Sequence, residues 1–235
     1  MNIESEAMYG MPSLTCLSLS GNALLYLPEE LGLLDSLTQI DLSHNRTLTS
    51  IPEELGELCD LKSLSLNDCG LTKLPEGLDD YTTCLRDIDL STNSLVKLHP
   101  CVGSILSLKT LWLTKNRLTT LPSEIGLLTN LTALFVEENI MTHIPETMGN
   151  MVSLRKLSLR YNRLQSLPPT LSGLTNLREL YLANNKNIEQ FPETYTSLVS
   201  LHTMSLDVGL LGSFSVELLG WVTNLQDLQY TGKKR

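Results

Sequence analysis

The sequence is poor in aromatic residues and has no long apolar run. Phe, Trp and Tyr make up 5% of its 235 residues, so an aromatic side chain that faces solvent is informative. The apolar runs are shorter than the roughly 20 residues that a membrane-spanning helix needs. The first residues, MNIESEAMYG, carry acids where a secretion signal has a basic and then an apolar region. We therefore expect a soluble, cytoplasmic protein with no membrane partner.

The sequence also lacks the patterns of common catalytic and cofactor sites. Its four histidines are far apart, and no glycine-flanked serine elbow accompanies them. No paired cysteine or histidine spacing predicts a metal site, and no loop ending in Gly-Lys-Ser or Gly-Lys-Thr predicts a phosphate site. We predict a protein that is not an enzyme and that uses no cofactor or metal.

Positive charge is scarce in the first part of the chain. The formal net charge is −9, and residues 1–100 hold 16 acidic against 5 basic side chains, whereas residues 101–235 hold 10 against 12. Binding to a phosphate backbone needs clustered Lys and Arg. The charge distribution therefore argues against a nucleic-acid partner.

What the sequence does contain is a repeat. The stretch LKTLWLTKNRLTTLPSEIGLLTN at 108–130 has counterparts every 23 or 24 residues. One such unit cannot bury its own leucines, so it is stable only when stacked on similar units, and the chain is predicted to be a solenoid. The repeats begin at Leu14, Leu37, Leu61, Leu85, Leu108, Leu131, Leu154, Leu177 and Leu201.

A polar residue follows each predicted strand at a fixed position. An amide side chain there can donate to and accept from backbone groups that would otherwise be buried without a partner. Cys69 stands in this position in the third repeat and can serve only weakly, and Gly209 ends the series, which marks a divergent last repeat. The asparagines of the series are Asn22, Asn45, Asn93, Asn116, Asn139, Asn162 and Asn185.

The five cysteines are scattered among the repeats. They form none of the terminal clusters that close extracellular proteins of this shape with disulfides, so we expect reduced thiols. Cys59 and Cys84 lie near matching places in adjacent repeats, which leaves a bridge between them geometrically possible.

The pattern LxxLxLxxNxLxxLPxxLGxLxxL resembles the signature of leucine-rich repeat proteins over about nine-tenths of the chain. LPEELG at 27–32 and IPEELG at 51–56 are similar to the intracellular Ras-group-related and Ras-suppressor-like members, which act as scaffolds in signalling. The resemblance implies an α/β solenoid, a horseshoe with a parallel β-sheet on its concave face and loops, 3₁₀ turns or short helices on its convex side. It implies no chemistry.

We expect a single leucine-rich repeat domain over residues 1–235. Residues 1–13 are predicted to be a half-turn N-terminal cap, in which Met8 and Met11 cover the first leucine layer. Residues 14–200 form eight repeats, and residues 201–235 form a divergent capping repeat and a closing strand from Leu225 to Thr231.

A binding site follows from the alternation of side chains in each strand. In LxxLxL the third, fifth and seventh positions point away from the leucine core, toward solvent on the concave face. At the fifth position Trp112, Phe135 and Tyr181 cluster in the middle of the array. Sideways stacking that stiffens the sheet is the alternative explanation. Phe191, Phe214 and Trp221 instead replace core leucines and are predicted to be buried.

Charged residues surround this aromatic row. Trp, Tyr and Arg dominate binding energy at many interfaces, so the row is predicted to be a hot spot for a partner with an apolar anchor and an acidic neighbour. Three acids on earlier strands are expected to steer a basic segment of the partner. The predicted site comprises Trp112, Phe135, Glu137, Lys156, Arg160, Tyr161, Tyr181, Asp41, Asp87 and Asp89.

The sequence is compatible with three functions. The first is a monomeric scaffold that binds another protein, whose identity the sequence does not reveal. The second is the ligand-sensing or substrate-recognition segment of a larger signalling protein or receptor. The third is a fragment of an extracellular recognition receptor, which predicts disulfides and glycans.

Overall fold

A computed structural model describes residues 9–79, 84–223 and 225–232. The predicted cap residue Met8 lies outside this range, as do Met1 to Ala7 and the last three residues of the predicted capping segment. Every described repeat contributes one short strand to a single open sheet of ten parallel strands, ordered as in the sequence. This arrangement confirms the predicted leucine-rich repeat solenoid.

The strands are three residues long in the regular repeats because only the centre of LxxLxL is extended. Their bounds are β1 Cys16–Ser18, β2 Gln39–Asp41, β3 Ser63–Ser65, β4 Asp87–Asp89, β5 Thr110–Trp112, β6 Ala133–Phe135, β7 Lys156–Ser158 and β8 Glu179–Tyr181. The last two, β9 Thr203–Asp207 and β10 Asp227–Thr231, are longer and pair along all five residues.

The convex side of the regular repeats consists of 3₁₀ turns that begin directly after the repeated proline, or, in the fourth repeat, at Pro100 itself. Proline suits this place because its fixed φ leads into the turn and it has no N–H that needs a partner. The turns are Glu29–Leu33, Glu53–Glu57, Glu76–Asp79, Pro100–Ser104, Ser123–Leu127, Glu146–Asn150, Pro169–Gly173 and Glu193–Ser197.

The last repeat differs from the others on its convex side. Helix α1, Val208–Leu211, and helix α2, Val216–Val222, replace the 3₁₀ turn there. Ser215 is the N-cap of α2, and its hydroxyl accepts a hydrogen bond from the backbone N–H of Leu218 at 3.3 Å. Phe191 packs against Phe214 and Trp221 beneath these helices, with centroid distances of 4.9 and 6.1 Å. All three aromatics are buried, as predicted.

The core is a column of leucine layers. Leu108, Leu111, Leu113 and Leu118 are completely buried, and the corresponding residues of the neighbouring repeats stack on them. Burial of this apolar surface is the main force that holds one repeat on the next.

The predicted asparagine ladder is present and explains how the chain leaves each strand. Asn116 accepts from the backbone N–H of Leu95 at 3.0 Å and donates to the carbonyl oxygens of Leu90 and Leu113 at 2.9 and 3.1 Å. The thiol of Cys69 donates only to carbonyl oxygens, at 3.3 Å to Leu42 and 3.8 Å to Asn67.

The residue before each ladder asparagine adopts a left-handed conformation that closes the turn, as Lys115 does with φ 58° before Asn116. Two repeats carry an extra residue after the asparagine, and a turn accommodates this residue. In the second repeat the N–H of Leu48 donates to the carbonyl of Asn45 at 2.8 Å. The ladder is therefore kept where the repeat length changes.

Candidate binding site on the concave face

The concave face is the side of the sheet that points away from the leucine core. In β5 and β6 the central leucines Leu111 and Leu134 point inward, while Trp112 and Phe135 face each other across the strand pair on the outer side. Their rings stack with centroids 5.9 Å apart and planes 7° apart. Both side chains are half-buried, so the pair presents one continuous aromatic edge to solvent.

A serine interrupts the aromatic row on the next strand. Ser158 of β7 lies between Phe135 and Tyr181 in the register of the sheet. Its side chain is completely buried, and its Oγ has no hydrogen-bond partner among the described residues. Lys156 covers it, because Nζ lies 5.8 Å from the centroid of Phe135 and 5.4 Å from that of Tyr181.

The prediction that every fifth position faces solvent is therefore wrong for Ser158, and also for Ser205, which is 1% exposed. The physical reason is the same at both places. Serine is short, and the long side chains of Lys156 and Arg160 bend over it toward the neighbouring rings and amides. The three aromatics therefore form a stacked pair and a separate tyrosine. The ammonium group of Lys156 lies near both Phe135 and Tyr181.

An ion pair fixes the position of this lysine. Lys156 Nζ lies 2.6 Å from Glu179 Oε2, and Tyr181 Oη donates to the same oxygen at 2.8 Å. The hydrogen bond from Lys156 is the main cause that lowers the pKa of Glu179. Burial, and then the hydrogen bond to Glu179, raises the pKa of Tyr181 to about 12, so the phenol stays protonated at neutral pH.

Arg160 lies across the C-terminal strands. Its Nε donates to Ser205 Oγ at 3.0 Å and its Nη2 donates to Gln229 Oε1 at 2.9 Å. Its Cζ is 4.3 Å from the centroid of Tyr181. Both hydrogen-bond acceptors are neutral, and no carboxylate of a described residue forms an ion pair with Arg160. The guanidinium thus has no direct carboxylate partner among the described residues, and the Asp227 carboxylate accepts from Nε2 of the same Gln229 at 2.7 Å.

Two acids lie on the other side of the aromatic pair. Asp89 Oδ1 accepts a hydrogen bond from the N–H of Ser91 at 2.9 Å, while Asp87 has no hydrogen bond or ion pair with a described side chain. A pocket of about 400 Å³ opens between β3 and β5. Its walls are Ser63, Leu64, Ser65, Asp87, Asp89 and Trp112.

The remaining predicted residues lie at the margins. Asp41 on β2 is outside the pocket, and its Oδ1 accepts from Ser43 Oγ at 2.6 Å. Glu137 is half-buried one strand from Arg160 and makes no ion pair with it. Tyr161 is 55% exposed and has φ 54°, at the turn after β7. These three residues border the cluster without joining it.

Ser205 and Gln229, which hold Arg160, were not predicted from the sequence. They lie 45 and 69 residues from Arg160, and each has an ordinary polar residue type. The repeat register could have indicated them. It places the fifth-position residues of β9 and β10 on the same face as the long side chain of Arg160, which follows β7.

A larger pocket, of about 1000 Å³, lies on the opposite side, between two convex loops and α2. Its lining includes Glu189, Glu193, Phe191 and Leu218 but no basic side chain. It has neither a stacked aromatic pair nor paired charges of opposite sign, so the concave cluster remains the candidate site.

Within the described ranges no three His, Cys, Asp or Glu side chains gather where they could hold a metal ion. None of the described helices is long and apolar enough to cross a membrane. All five cysteines are free thiols in the structure, so Cys59 and Cys84 are not bridged.

Comparison with protein families gives matches along nearly the whole chain. A family model of a leucine-rich repeat region matches residues 81–234, and models of a leucine-rich repeat match residues 2–46 and 36–58. A relative in Drosophila melanogaster, a leucine-rich repeat and calponin homology domain-containing protein, is 48% identical over 73 residues. That match covers 31% of this chain and 8% of the Drosophila protein, which is much longer.

Solved structures share the fold. A leucine-rich repeat protein of Leptospira interrogans has a TM-score of 0.72 and 27% identity, and the match covers 98% of this chain and 63% of that one. The ectodomain of the Arabidopsis thaliana receptor kinase GASSHO1/SCHENGEN3, solved in complex with CASPARIAN STRIP INTEGRITY FACTOR 2, has a TM-score of 0.78 and 27% identity. Here the match covers 97% of this chain and 28% of that one.

Proposed function

The chain belongs to the leucine-rich repeat family, and on that premise we propose that it is a non-enzymatic scaffold that binds another protein on its concave face. The observation that carries this proposal is the stacked, half-buried pair of Trp112 and Phe135. It lies on a face whose other strand residues are mainly serine, threonine and charged. Aromatic residues and arginine at the centre of a contact surface supply most of the binding energy in many complexes.

The cluster is suited to an apolar anchor with charged neighbours. A partner side chain placed on Trp112 and Phe135 would bury their exposed edge, which stabilises a complex by roughly 25 cal/mol for each Å² of apolar area. Arg160 can pair with an acid next to that anchor. Asp87 and Asp89, with Asp41 further along, would speed the approach of a basic segment by electrostatic attraction.

The role we propose is in signalling inside the cell, in the manner of the Ras-group-related and Ras-suppressor-like proteins. LPEELG at 27–32 and IPEELG at 51–56 support this subtype. The net charge of −9 supports a protein partner over a nucleic acid. We propose that the protein is cytoplasmic and monomeric and that it needs neither a cofactor nor a membrane.

A second candidate function is the ligand-sensing or substrate-recognition part of a larger protein. It is favoured by the lengths of the relatives, since the matched stretches cover only 8% and 12% of the Drosophila protein and of the disease resistance protein RPS5 of Arabidopsis thaliana. An extracellular form of this function predicts disulfides and glycans. The intact mass of the native protein before and after reduction excludes that form if neither modification is found.

Affinity capture from the native cell tests the proposed function. The wild-type protein, Phe135→Ala and the convex double variant Glu53→Ala/Glu54→Ala are used as three baits, and captured proteins are compared by mass spectrometry. We expect a partner that is retained by the wild type and by the convex variant and lost with Phe135→Ala. A partner lost only with the convex variant would place the site on the other side of the sheet.

A further inference from the structure

Basic side chains line the rim of the sheet at which the strands begin. The residue directly before a strand is basic in five of the repeats, and all five side chains are exposed. They are part of a chain with a formal net charge of −9. We call these residues the basic row: Lys62 before β3, Arg86 before β4, Lys109 before β5, Arg155 before β7 and Arg178 before β8.

Backbone hydrogen bonds fix the order of the row. The N–H of Lys109 donates to the carbonyl of Arg86 at 2.7 Å, and the N–H of Arg178 donates to the carbonyl of Arg155 at 2.8 Å. Thr132 is the neutral member between Lys109 and Arg155, and bonds of 2.8 Å join it to both. Neighbouring strands are about 4.8 Å apart, so a row from β3 to β8 is about 24 Å long.

The row has no carboxylate partner within the protein. None of the ion pairs between described residues includes one of its members, although Asp60 and Asp87 lie near its first two members in the sequence. The segments that lead into β5 to β9, at 104–109, 127–132, 150–155, 173–178 and 197–202, contain no Asp or Glu. Like charges opposite each other on neighbouring strands are destabilising, and an anionic ligand along the rim would relieve this repulsion.

Aliphatic side chains are exposed on the turns that lead into this rim. Leu106 and Val152 each lie three residues before a member of the row and are 55% and 49% exposed, and Leu127 between them is 54% exposed. Lys109 Nζ donates to the carbonyl of Asn130 at 3.3 Å, and the amide of Asn130 donates to the carbonyl of Leu106 at 3.0 Å. These bonds hold the ammonium group on the same turns as the aliphatic side chains.

We propose that this rim is a second binding surface, which takes an extended segment of a partner protein in which Asp or Glu alternates with aliphatic residues. Alternate side chains of an extended chain point to opposite sides. The acids of the segment therefore face the basic row while its aliphatic residues face Leu106, Leu127 and Val152. The inference goes beyond the proposed function, because Lys109 lies three residues before Trp112, about 10 Å away along the strand.

An acidic protein segment fits this rim better than other anionic partners do. A nucleic acid would pair with the row but gain little from the aliphatic side chains, and the five segments that lead into β5 to β9 have no aromatic residue on which a base could stack. A membrane is far wider than one row of side chains, and it would bring the acidic remainder of the chain close to anionic lipid. A segment of about nine residues is long enough for the row, since an extended chain advances about 3.3 Å per residue.

The test measures the binding of synthetic peptides by fluorescence anisotropy. The probe is acetyl-Asp-Leu-Asp-Val-Glu-Leu-Asp-Val-Glu-amide with a fluorescent label. A second peptide has serine in place of each Leu and Val and keeps every charge. Because only the first can bury aliphatic surface on the rim, we expect it to bind at least about fivefold more tightly.

A charge reversal locates the peptide. Arg155→Glu/Arg178→Glu should weaken the first peptide at least about tenfold. The control is Lys97→Glu/Lys186→Glu, which changes the net charge equally at two exposed lysines outside the row that form no ion pair with a described residue. Screening by salt at physiological ionic strength should limit its effect to about twofold.

Several results would overturn the inference. They are equal affinities for the two peptides, equal losses in the two charge-reversed variants, and no binding of the first peptide up to about 1 mM. Tighter binding of single-stranded oligouridylate, or of vesicles of phosphatidylcholine and phosphatidylserine, would also reject a protein segment as the occupant. Phe135→Ala should leave the peptide affinity unchanged, so this inference and the proposed concave site can fail independently.

Discussion

Asn116 Oδ1 accepts a hydrogen bond of 3.0 Å from the backbone N–H of Leu95, which belongs to the preceding repeat. The bond joins two turns at a buried place. The same contact recurs between Asn139 and Leu118 at 2.9 Å and between Asn162 and Met141 at 3.0 Å. The ladder is thus a second link between repeats, beside the leucine layers.

Replacement of Asn116 by leucine should destabilise the protein. The N–H of Leu95 loses its side-chain partner, and a buried group left unpaired costs about 1–3 kcal/mol. The carbonyls of Leu90 and Leu113 each lose one of two side-chain donors and keep the bonds from Asn93 and Asn139. Thermal unfolding followed by circular dichroism should show a Tm lower by roughly 2–4 °C for each kcal/mol.

Asn22 offers a matched control for this change. It holds the same position in the first repeat but is exposed, and its amide donates to Leu19 and Ser20 of its own repeat. Asn22→Leu should lower Tm far less than Asn116→Leu. Equal losses in the two variants would contradict the ladder's role in holding repeats together.

The close approach of neighbouring 3₁₀ turns predicts that a side chain added at Gly126 destabilises the protein. A Cβ added at Gly126 would lie 2.3 Å from the carbonyl oxygen of Thr147 in the next turn. Gly126→Ala should therefore force the turns apart and cost about 1–3 kcal/mol, as overpacking of a core does. Urea unfolding measures this loss.

Gly220 provides the contrast within the same chain. It lies in α2, where an added Cβ meets nothing within 4 Å. Because alanine favours a helix over glycine by about 1 kcal/mol, Gly220→Ala should leave stability unchanged or raise it slightly. A Gly126→Ala variant as stable as wild type would mean that the turns have room to separate.

The ion pair between Lys156 and Glu179 predicts a pH dependence of stability. The pKa of Glu179 is lower in the folded protein than in the unfolded chain, chiefly because Lys156 donates to its carboxylate. Its stabilising contribution is complete above the unfolded value of about 4.3 and is lost as the pH falls through the lower folded value. Glu179→Gln should thus be less stable than wild type at pH 7 and indistinguishable from it in acid.

The exposed convex residue Glu53 is the site of the control variant, because it forms no ion pair with a described residue. Glu53→Gln should match the wild type at both pH values. A difference between Glu179→Gln and wild type that persists unchanged below pH 3 would contradict the assignment of the ion pair as its cause.

The ends of the array predict the state of association. Leu14 and Leu17 at one end, and Leu225 and Leu228 at the other, pack against the core and are half-buried, so each end layer has part of its apolar surface covered. We expect a monomer in size-exclusion chromatography with light scattering at all concentrations tested. Growth of the mass with concentration would favour a segment that normally continues into further repeats.

Much of this fold could be predicted because each repeat carries the same local information. The spacing of Leu108, Leu111 and Leu113 fixes one strand and its inward face, and Asn116 fixes the exit from it. Helices α1 and α2 could not be placed in this way. Their segment lacks both the asparagine and the proline, so the pattern indicated only that the last repeat diverges.

The candidate site was predictable only in part. Trp112 and Phe135 could be placed on the outer face, because successive side chains of a strand point to opposite faces of the sheet. Which side chains cover Ser158, and where Arg160 finds its acceptors, depends on rotamers and on strands that are far apart in the sequence. No local pattern carries that information.

The affinity of a captured partner for Phe135→Ala tests whether the concave aromatic pair is the binding site. Calorimetry with the purified partner compares this variant and Arg160→Glu with wild type, after circular dichroism has verified that both are folded. We expect each substitution to weaken binding by about 2 kcal/mol or more, as at other hot spots. Unchanged affinity in both folded variants, with loss of binding in Glu53→Ala/Glu54→Ala, would contradict it.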